Sequence, residues 1–262
     1  MDLRDFEPAR ADQRLSGDAG LAPALRHRVL FAAVIVQLGA MSLVWNLLSP
    51  LLALVLPRAT AARLGRQAVS FIYRCCWTSA ERLGLMRIDS KALDSLRDEP
   101  GGLIVAANHP TMLDALLVVA RLPRGVCVMK AELMHNIFLG GGARLARYIR
   151  NDEGRGMVRD AVATLRDGNQ LILFPEGTRT VGATVNAFKP GITLIAQLAQ
   201  VPIQTVVIEA FSPYLTKGWP LLKAPPVPVH IRLTLGPRFA PEADHRAQLR
   251  RLEIYFAEAL RR

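Results

Sequence analysis

From residue 84 onward, short apolar runs alternate with segments of helical hydrophobic period. Short apolar runs bounded by turn residues are typical of buried strands, and apolar residues three and four positions apart predict helices. Their alternation predicts an α/β fold in which a mixed sheet is flanked by helices. The predicted strands are Leu103–Ala107, Val126–Met129, Leu171–Phe174, Ile203–Ile208 and Val229–Leu235. The predicted helices are Pro110–Ala120, Met157–Arg166, Ile192–Ala199 and Ala243–Arg261.

The N-terminal part of the chain is more apolar than such a domain requires. The stretch Val29–Leu56 runs for 28 residues without a charge, and about 20 are enough to cross a bilayer as a helix. Pro50 is expected to break or kink such a helix, and arginines lie on both sides of the stretch. Because cationic flanks prefer the cytoplasmic side, the pattern favours a helical hairpin that enters the membrane without crossing it. A single tilted span and a buried pair of helices are the alternatives.

The next segment, Thr60–Arg82, has the pattern of an amphipathic helix that lies on a membrane surface. Three arginines share one face, with apolar residues opposite. Tyr73 and Trp77 would then lie at the depth of the lipid headgroups. An ordinary surface helix would show the same pattern. The chain is thus divided into a mobile leader (residues 1–25), a membrane-associated helical segment (residues 26–83) and an α/β domain (residues 84–262).

Composition adds a preference for anionic partners. Hydrophobic residues make up 51% of the chain, its formal net charge is +11 and its mean hydropathy is +0.21. Such a basic chain favours nucleic acid or anionic lipid. Aromatic residues make up only 6%, and they do not alternate with basic ones as they do in nucleic-acid-binding grooves. We therefore expect a membrane partner and no nucleic acid.

The cysteines predict neither disulfides nor a metal site. Cys75 and Cys76 are adjacent and cannot easily bridge each other, and Cys127 lies in a predicted strand. No cysteine and histidine cluster has the spacing of zinc ligands. A reduced, cytoplasmic setting fits this usage.

Candidate chemistry is concentrated in Asn108–Asp114, directly after the first predicted strand. The residue before a proline avoids the helical conformation, so we expect His109 in the turn after the strand and Pro110 at the start of a helix. Asp114 would lie in the first turn or two of that helix, where its carboxylate could hold one imidazole nitrogen. An imidazole oriented in this way is a general base. The alternative is a capped helix start beside an incidental histidine.

A second polar turn, Pro175–Thr180, follows the strand Leu171–Phe174. It combines a glycine turn with an arginine, and backbone N–H groups and a guanidinium can converge there on a phosphate. Glu176 would be unusual in such a place unless it pairs with a base or orients one. A purely structural turn is the alternative.

Together these segments resemble the glycerolipid acyltransferase family of the His-x4-Asp type, whose members acylate glycerol-3-phosphate and its 1-acyl derivative. The first family motif is matched by Asn108, His109 and Asp114, and the third by Phe174–Arg179. In the fourth motif Thr205 replaces a proline, which leaves the shape of the neighbouring acyl pocket open. The resemblance covers about residues 75–240 and implies a glycerol-3-phosphate acyltransferase-like fold. The other matching segments are Lys130–Leu133, Leu139–Gly142, Tyr148–Arg150, Phe188–Gly191 and Val201–Val206.

The resemblance also implies a mechanism. His109, poised by Asp114, would take the proton of the acceptor hydroxyl as it attacks an acyl thioester. Transfer would be direct, because no serine or cysteine stands beside His109 to form an acyl-enzyme. The helix start after His109 or the Gly177 turn could donate N–H groups to the oxyanion. No metal or organic cofactor is implied, and acyl-CoA or acyl carrier protein would be the co-substrate.

The acceptor site follows from the same resemblance. Lys130 and Arg179, with Arg150 as a third candidate, would bind the acceptor's phosphate, while Glu176 and Gly177 would shape that pocket. The expected acceptor is the lysophospholipid 1-acyl-glycerol-3-phosphate, which gives phosphatidic acid. The expected location is the cytoplasmic face of the bacterial inner membrane. The proline-rich stretch between residues 211 and 228 is expected to form an irregular loop at the rim of the acyl or headgroup channel.

Three other functions stay open at this point. The acceptor could be the lyso-lipid of a specialised bacterial pathway, since Thr111, Met112 and Thr205 depart from the commonest family form. A lipid or thioester hydrolase could use the same His-Asp pair with water, although the Gly-x-Ser-x-Gly elbow of such enzymes is missing from the sequence. A non-enzymatic membrane-binding protein would not need His109 and Asp114 together with the Pro175–Thr180 turn.

Overall fold

The computed structural model describes residues 21–152, 154–182, 184–220 and 222–261. Most of the predicted leader, residues 1–25, lies outside the described residues. The helices within these described ranges are α1 (Leu21–Val55), α2 (Arg58–Arg82), α3 (Asp114–Arg121), α4 (Gly140–Leu145), α5 (Arg155–Arg166), α6 (Gly191–Ala199) and α7 (His245–Ala259). Short 3-10 helices cover Lys91–Leu96 and Ala131–His135.

The domain is built on a mixed sheet of seven strands in the order β1-β7-β6-β2-β5-β3-β4. All neighbouring pairs run parallel except β6 and β7. The fold class predicted from the sequence is therefore confirmed. The strands are β1 (Met86–Asp89), β2 (Leu103–Ala107), β3 (Gly125–Met129), β4 (Ile149–Arg150), β5 (Gln170–Leu173), β6 (Ile203–Ala210) and β7 (Val229–Phe239).

The central strand β2 is buried on both faces, as its uninterrupted apolar sequence requires. Leu103, Val105 and Ala107 pack into a core shared with α2 and α3. The alternate residues Ile104 and Ala106 pack into a second core shared with α5, α6 and α7. Because β2 and β5 are parallel neighbours, the two polar turns that follow them meet at one edge of the sheet.

The predicted start of α3 is wrong by one turn. Pro110 does not begin the helix, which starts at Asp114. The residues between them form a turn that is closed by side chains: the Thr111 N–H donates to the Asp114 carboxylate, and the Leu113 N–H donates to the Thr111 hydroxyl. These bonds hold the turn in place directly before the helix.

The hairpin predicted within Val29–Leu56 is also wrong, because α1 continues through Pro50 as one helix. The helix ends at Val55, two residues before Pro57, and α1 packs against α2 and α4. At about 1.5 Å per residue, the 35 residues of α1 extend for about 52 Å. The helical hairpin is therefore formed by α1 and α2 rather than within α1.

One described helix, between Leu25 and Val55 within α1, is long and apolar enough to cross a membrane. Only 11% of its most apolar window is buried, whereas the core helix of a soluble protein is mostly buried. Its exposed face is lined with large apolar side chains. They include Val36, Val44, Leu47, Leu51, Leu54 and Val55. This surface indicates association with a membrane.

The second helix packs one face into the protein, and that face carries the two aromatic residues predicted to lie at headgroup depth. Tyr73 and Trp77 are buried in the core that α2 shares with α3 and β2, not at headgroup depth. The Ser70 hydroxyl and the Trp77 indole N–H donate to carbonyl oxygens of α3. The α2 helix is thus part of the α/β core, so this core extends across the predicted boundary at residue 84.

A double substitution tests the exposed face of α1. Leu47 and Leu54 are 66% and 83% exposed, so Leu47→Ser with Leu54→Ser should not unfold the protein. Removing a leucine side chain from water is worth about 1.5–3 kcal/mol, so the variant's partition into lipid vesicles should fall by at least about tenfold. Flotation with vesicles measures this. Ile254→Ser, at an exposed position of α7, is the matched control, and equal partition of all three proteins would contradict the prediction.

Candidate active site

His109 and Asp114 form a hydrogen-bonded pair at the carboxyl end of β2. Nδ1 of His109 lies 2.8 Å from Oδ2 of Asp114. The imidazole ring packs against Phe174 with 4.4 Å between ring centroids, so the ring is held from the side as well as through Nδ1. A carboxylate at Nδ1 places the proton on that nitrogen and leaves Nε2 as the basic one. The geometry is that of an oriented general base.

Asp114 is completely buried behind the histidine. Burial raises the pKa of its carboxyl group, and hydrogen bonds from His109 and Thr111 counter that shift. The Thr111 N–H reaches Oδ2 at 2.7 Å and the Thr111 hydroxyl reaches Oδ1 at 2.6 Å. Thr111 is a functional residue to which the sequence analysis assigned no role. A threonine three residues before an acidic residue is the spacing of a capping box, and this signal could have identified it.

Asn108 fixes the end of β2 to the neighbouring strand. Its side-chain oxygen accepts from the Ile208 N–H at 2.7 Å, and its amide donates to the Ile208 carbonyl at 2.8 Å. The side chain therefore replaces a pair of strand hydrogen bonds at the point where the backbone turns away. This explains in physical terms why an asparagine precedes His109.

Glu176 connects the two polar turns. Its Oε1 accepts from the His109 N–H at 3.0 Å and from the Thr180 hydroxyl at 2.7 Å, and its Oε2 accepts from the Asn186 N–H at 2.8 Å. The Thr180 N–H donates in turn to the His109 carbonyl. Glu176 is 3% exposed and does not line the cavity described next. Its carboxylate holds the backbone of His109 in position.

A cavity of about 560 Å³ opens beside the dyad. His109 lines it together with the cationic side chains of Lys130, Arg179 and Lys217. These residues lie together at one end, because His109, Lys130 and Arg179 follow the parallel neighbours β2, β3 and β5, and Arg179 bonds to the loop that carries Lys217. The rest is mostly apolar and is walled by α1, α2, α3, α4 and β3. Representative residues of these walls are Trp45, Ile72, Leu116, Val128 and Leu139. A ligand with an anionic head and a long apolar tail fits such a site.

Arg179 lies at the cationic end but is already partly engaged. Its Nη1 donates to the carbonyl oxygens of Leu215 and Thr216, both at 3.0 Å. These carbonyls belong to the irregular loop between residues 211 and 228, and Lys217 of the same loop lines the cavity. The loop thus rims the site, as the sequence predicts. Its contacts fix the guanidinium in one orientation.

The other predicted binding residues are divided between the cavity and its surroundings. Lys130 lines the cavity, and so does Gly177, whose φ of +67° favours glycine. A Cβ at Gly177 would lie 2.7 Å from the Lys189 side chain. Arg150 does not line the cavity, and it forms an ion pair with Asp152 at 2.8 Å instead.

Some of the backbone groups expected to hold an oxyanion are already in use. The N–H groups of Thr111 and Leu113 donate within their own turn, and that of Met112 donates to the Leu215 carbonyl. The Gly177 N–H donates to the Phe174 carbonyl. That the helix start or the Gly177 turn holds an oxyanion stays a prediction, and it would rest on other N–H groups of these two segments.

Thr205 does not affect the shape of the cavity. It is fully buried in β6, at an irregular point in the pairing with β7, and its hydroxyl donates to the Pro237 carbonyl at 2.8 Å. It contributes no wall to the cavity. The position where the fourth motif has a proline therefore lies within the sheet, and its replacement by Thr205 leaves the acyl pocket unaltered.

Comparisons with known proteins agree with this geometry. A family profile described as "Acyltransferase" matches residues 87–209. The profile covers 123 of the 262 residues, a little under half of the chain. The matched region includes the dyad, Lys130 and the whole Pro175–Thr180 turn, and it ends within β6.

Curated relatives carry a more specific name. A 1-acyl-sn-glycerol-3-phosphate acyltransferase of Limnanthes alba is 30% identical over 49% of this chain and 48% of the relative. The chain thus spans about half the length of such relatives. A protein of the same name from Pseudomonas aeruginosa is 22% identical over 79% of both chains. The crystal structure of a 1-acyl-sn-glycerophosphate acyltransferase from Thermotoga maritima superimposes with a TM-score of 0.69, at 18% identity, over 92% of this chain and 95% of that one. This likeness establishes the fold.

Thr111 provides a test of the buried dyad. Thr111→Val keeps the shape of the side chain but leaves Asp114 Oδ1 without its hydroxyl donor. We expect a stability loss of about 1–3 kcal/mol, and kcat lower by on the order of tenfold, the effect of about 1.4 kcal/mol on the barrier. Thermal unfolding and steady-state kinetics measure the two effects. Thr111→Ser retains the hydroxyl and should restore kcat, and a valine variant as active as the serine variant would contradict this role.

Proposed function

We propose that this chain is an O-acyltransferase that moves a fatty acyl group from a thioester to the hydroxyl of a lysophospholipid. The proposed acceptor is 1-acyl-glycerol-3-phosphate, and the product is phosphatidic acid. The observation that carries the proposal is the His109–Asp114 pair, which opens onto a cavity with cations at one end and an apolar body. The names of the curated relatives support the same acceptor.

In the proposed reaction His109 acts as the general base. Nε2 takes the proton of the acceptor hydroxyl while the oxygen forms a bond to the thioester carbonyl carbon. The imidazolium that forms is stabilised by the Asp114 carboxylate. When the tetrahedral intermediate collapses, the carbon–sulfur bond breaks and the thiolate takes the proton back from His109. The reaction needs no cofactor beyond the thioester, which is either acyl-CoA or an acyl carrier protein.

The oxyanion of this reaction needs hydrogen-bond donors that face the cavity. Because the N–H groups of Met112 and Gly177 are engaged, these donors are expected among other polar groups at the cavity wall, such as those of Asn151 and Thr178. Lys130 and Arg179 bind the acceptor's phosphate in the proposal, since both lie at the cationic end. Arg150, paired with Asp152, is a weaker candidate for this role.

The proposed location is the cytoplasmic face of the inner membrane. The exposed apolar face of α1 would anchor the chain to the membrane. The proposed acceptor is itself a membrane lipid, and the proposed acyl donor is a soluble thioester. The cavity wall formed by α1 would then lie next to the bilayer that holds the acceptor. This arrangement lets the acceptor reach His109 without leaving the membrane surface.

His109→Ala tests the proposed chemistry. Loss of a general base typically lowers the rate by about 10²–10⁴-fold, and the variant should still fold, because His109 is a partly exposed residue at the cavity wall. Transfer of a labelled acyl group from a thioester to 1-acyl-glycerol-3-phosphate, to other lyso-lipids and to water is the measurement. His245→Ala, at the start of α7, is the control. Substantial transfer by a folded His109→Ala protein would contradict the proposal, and release to water alone would favour a hydrolase.

Arg179→Lys tests the proposed phosphate contact. The guanidinium contacts two loop carbonyls and still has donors for a phosphate, whereas a lysine cannot span both. A charge-assisted bond of about 1.5–3 kcal/mol corresponds to roughly 10–150-fold in affinity. We therefore expect a higher KM for the acceptor with little change for the donor. Arg159→Lys, at an exposed position of α5, is the control. A fall in kcat alone would contradict the contact.

A further inference from the structure

A second concave site lies on the opposite side of α4 from the active-site cavity. It has a volume of about 450 Å³ and is formed where the end of α1, the start of α2 and α4 meet. Three arginines contribute to its wall, and none of its other residues is charged. The lining consists of Ser49, Pro50, Ala53, Arg58, Ala61, Gly141, Arg144, Leu145 and Arg147.

The charge of this site is not neutralised by the protein. Within the described part of the chain, neither Arg58 nor Arg147 forms an ion pair, and Arg144 donates one bond to the Met134 carbonyl. The neighbouring Arg66 has a lowered pKa, because of its burial and of the nearby positive charges, which include Arg147. Several arginines that lie close together without a neighbouring carboxylate attract an anion.

The backbone at Arg147 is a second, independent observation. Arg147 follows α4 with a φ of +59°, a left-handed conformation in which helices usually end with glycine. A side chain with a Cβ is strained there by roughly 1–2 kcal/mol. A glycine would end the helix equally well without this strain. An arginine held in this conformation is therefore a candidate for function.

The surroundings of the site indicate what kind of anion it binds. Leu51, Leu54 and Val55 lie on the same end of α1 and are 60%, 83% and 76% exposed. An apolar surface is therefore continuous with a cationic concavity. A free phosphate would use only the arginines, whereas a phospholipid would use the arginines for its headgroup and the apolar surface for its chains.

We infer that Arg58, Arg144 and Arg147 bind the phosphate headgroup of an anionic glycerophospholipid from the surrounding bilayer. The site is separate from the active site, because α4 lies between them: Gly142 faces the active-site cavity and Gly141 faces the arginines. The inference does not rest on the proposed acyl transfer, and a protein without that activity would still bind the lipid.

The test measures lipid binding by the detergent-solubilised full chain. Dioctanoyl phosphatidylglycerol, dioctanoyl phosphatidylcholine and inorganic phosphate are titrated separately and followed by calorimetry. The variant is Arg58→Gln with Arg147→Gly, which keeps the Arg144 bond to Met134. At about fivefold per arginine near anionic lipid, its affinity for phosphatidylglycerol should fall by roughly 30-fold. Phosphatidylcholine and inorganic phosphate should bind the wild-type chain more weakly than phosphatidylglycerol.

Two controls make the result specific. Arg246→Gln with Arg250→Gln removes the same charge from α7 and should leave the affinity unchanged, as should Arg179→Lys in the active-site cavity. Arg147→Gly should unfold at the same or a higher temperature than the wild type, because glycine relieves the left-handed strain. The inference is overturned if the Arg58 and Arg147 variant binds phosphatidylglycerol as the wild type does. It is equally overturned if inorganic phosphate binds as tightly as the lipid.

Discussion

The buried carboxylate of Asp114 is the constraint on which the candidate site depends. A charge completely removed from water is costly unless donors surround it, and three donors converge on this one: the His109 ring and the N–H and hydroxyl of Thr111. These requirements fix the turn before α3, the start of the helix and the orientation of the imidazole together. If the helix began at Pro110 instead, the N–H and the hydroxyl of Thr111 would no longer reach the carboxylate.

The turn is held in the fold by contacts with both neighbouring strands. Asn108 binds the backbone of β6, and Glu176, on the turn after β5, binds the backbone of His109. The parallel pairing of β2 with β5 and β6 brings these groups to one edge of the sheet. Glu176 therefore has a positioning role. The family resemblance gives only the motif, so it could not distinguish this role from direct binding of substrate.

Much of the fold follows from hydrophobic period alone. The predicted β2 is reproduced residue for residue, because a run buried on both faces leaves no other choice. Two strands were not predicted: β1 alternates apolar and charged residues over only four positions, and β4 has only two residues, so both are too short to give a clear period. No helix was predicted for the glycine-rich segment, whereas α4 forms there because Gly141 and Gly142 allow close approach to Asn46 and Trp45 of α1. Such tertiary contacts override local propensity.

The contact between α1 and α4 connects the apolar helix α1 to the part of the domain that forms the cavity. The Asn46 side chain accepts from the Gly142 N–H at 3.0 Å and donates to the Phe138 carbonyl, and Trp45 and Asn46 line the same cavity as His109. One face of α1 thus forms a wall of the cavity while the opposite face is apolar and exposed. Pro50 does not interrupt this arrangement, because helix α1 continues past it to Val55. Asn46, a polar residue inside an apolar helix, is thus a contact that positions the helix on the domain.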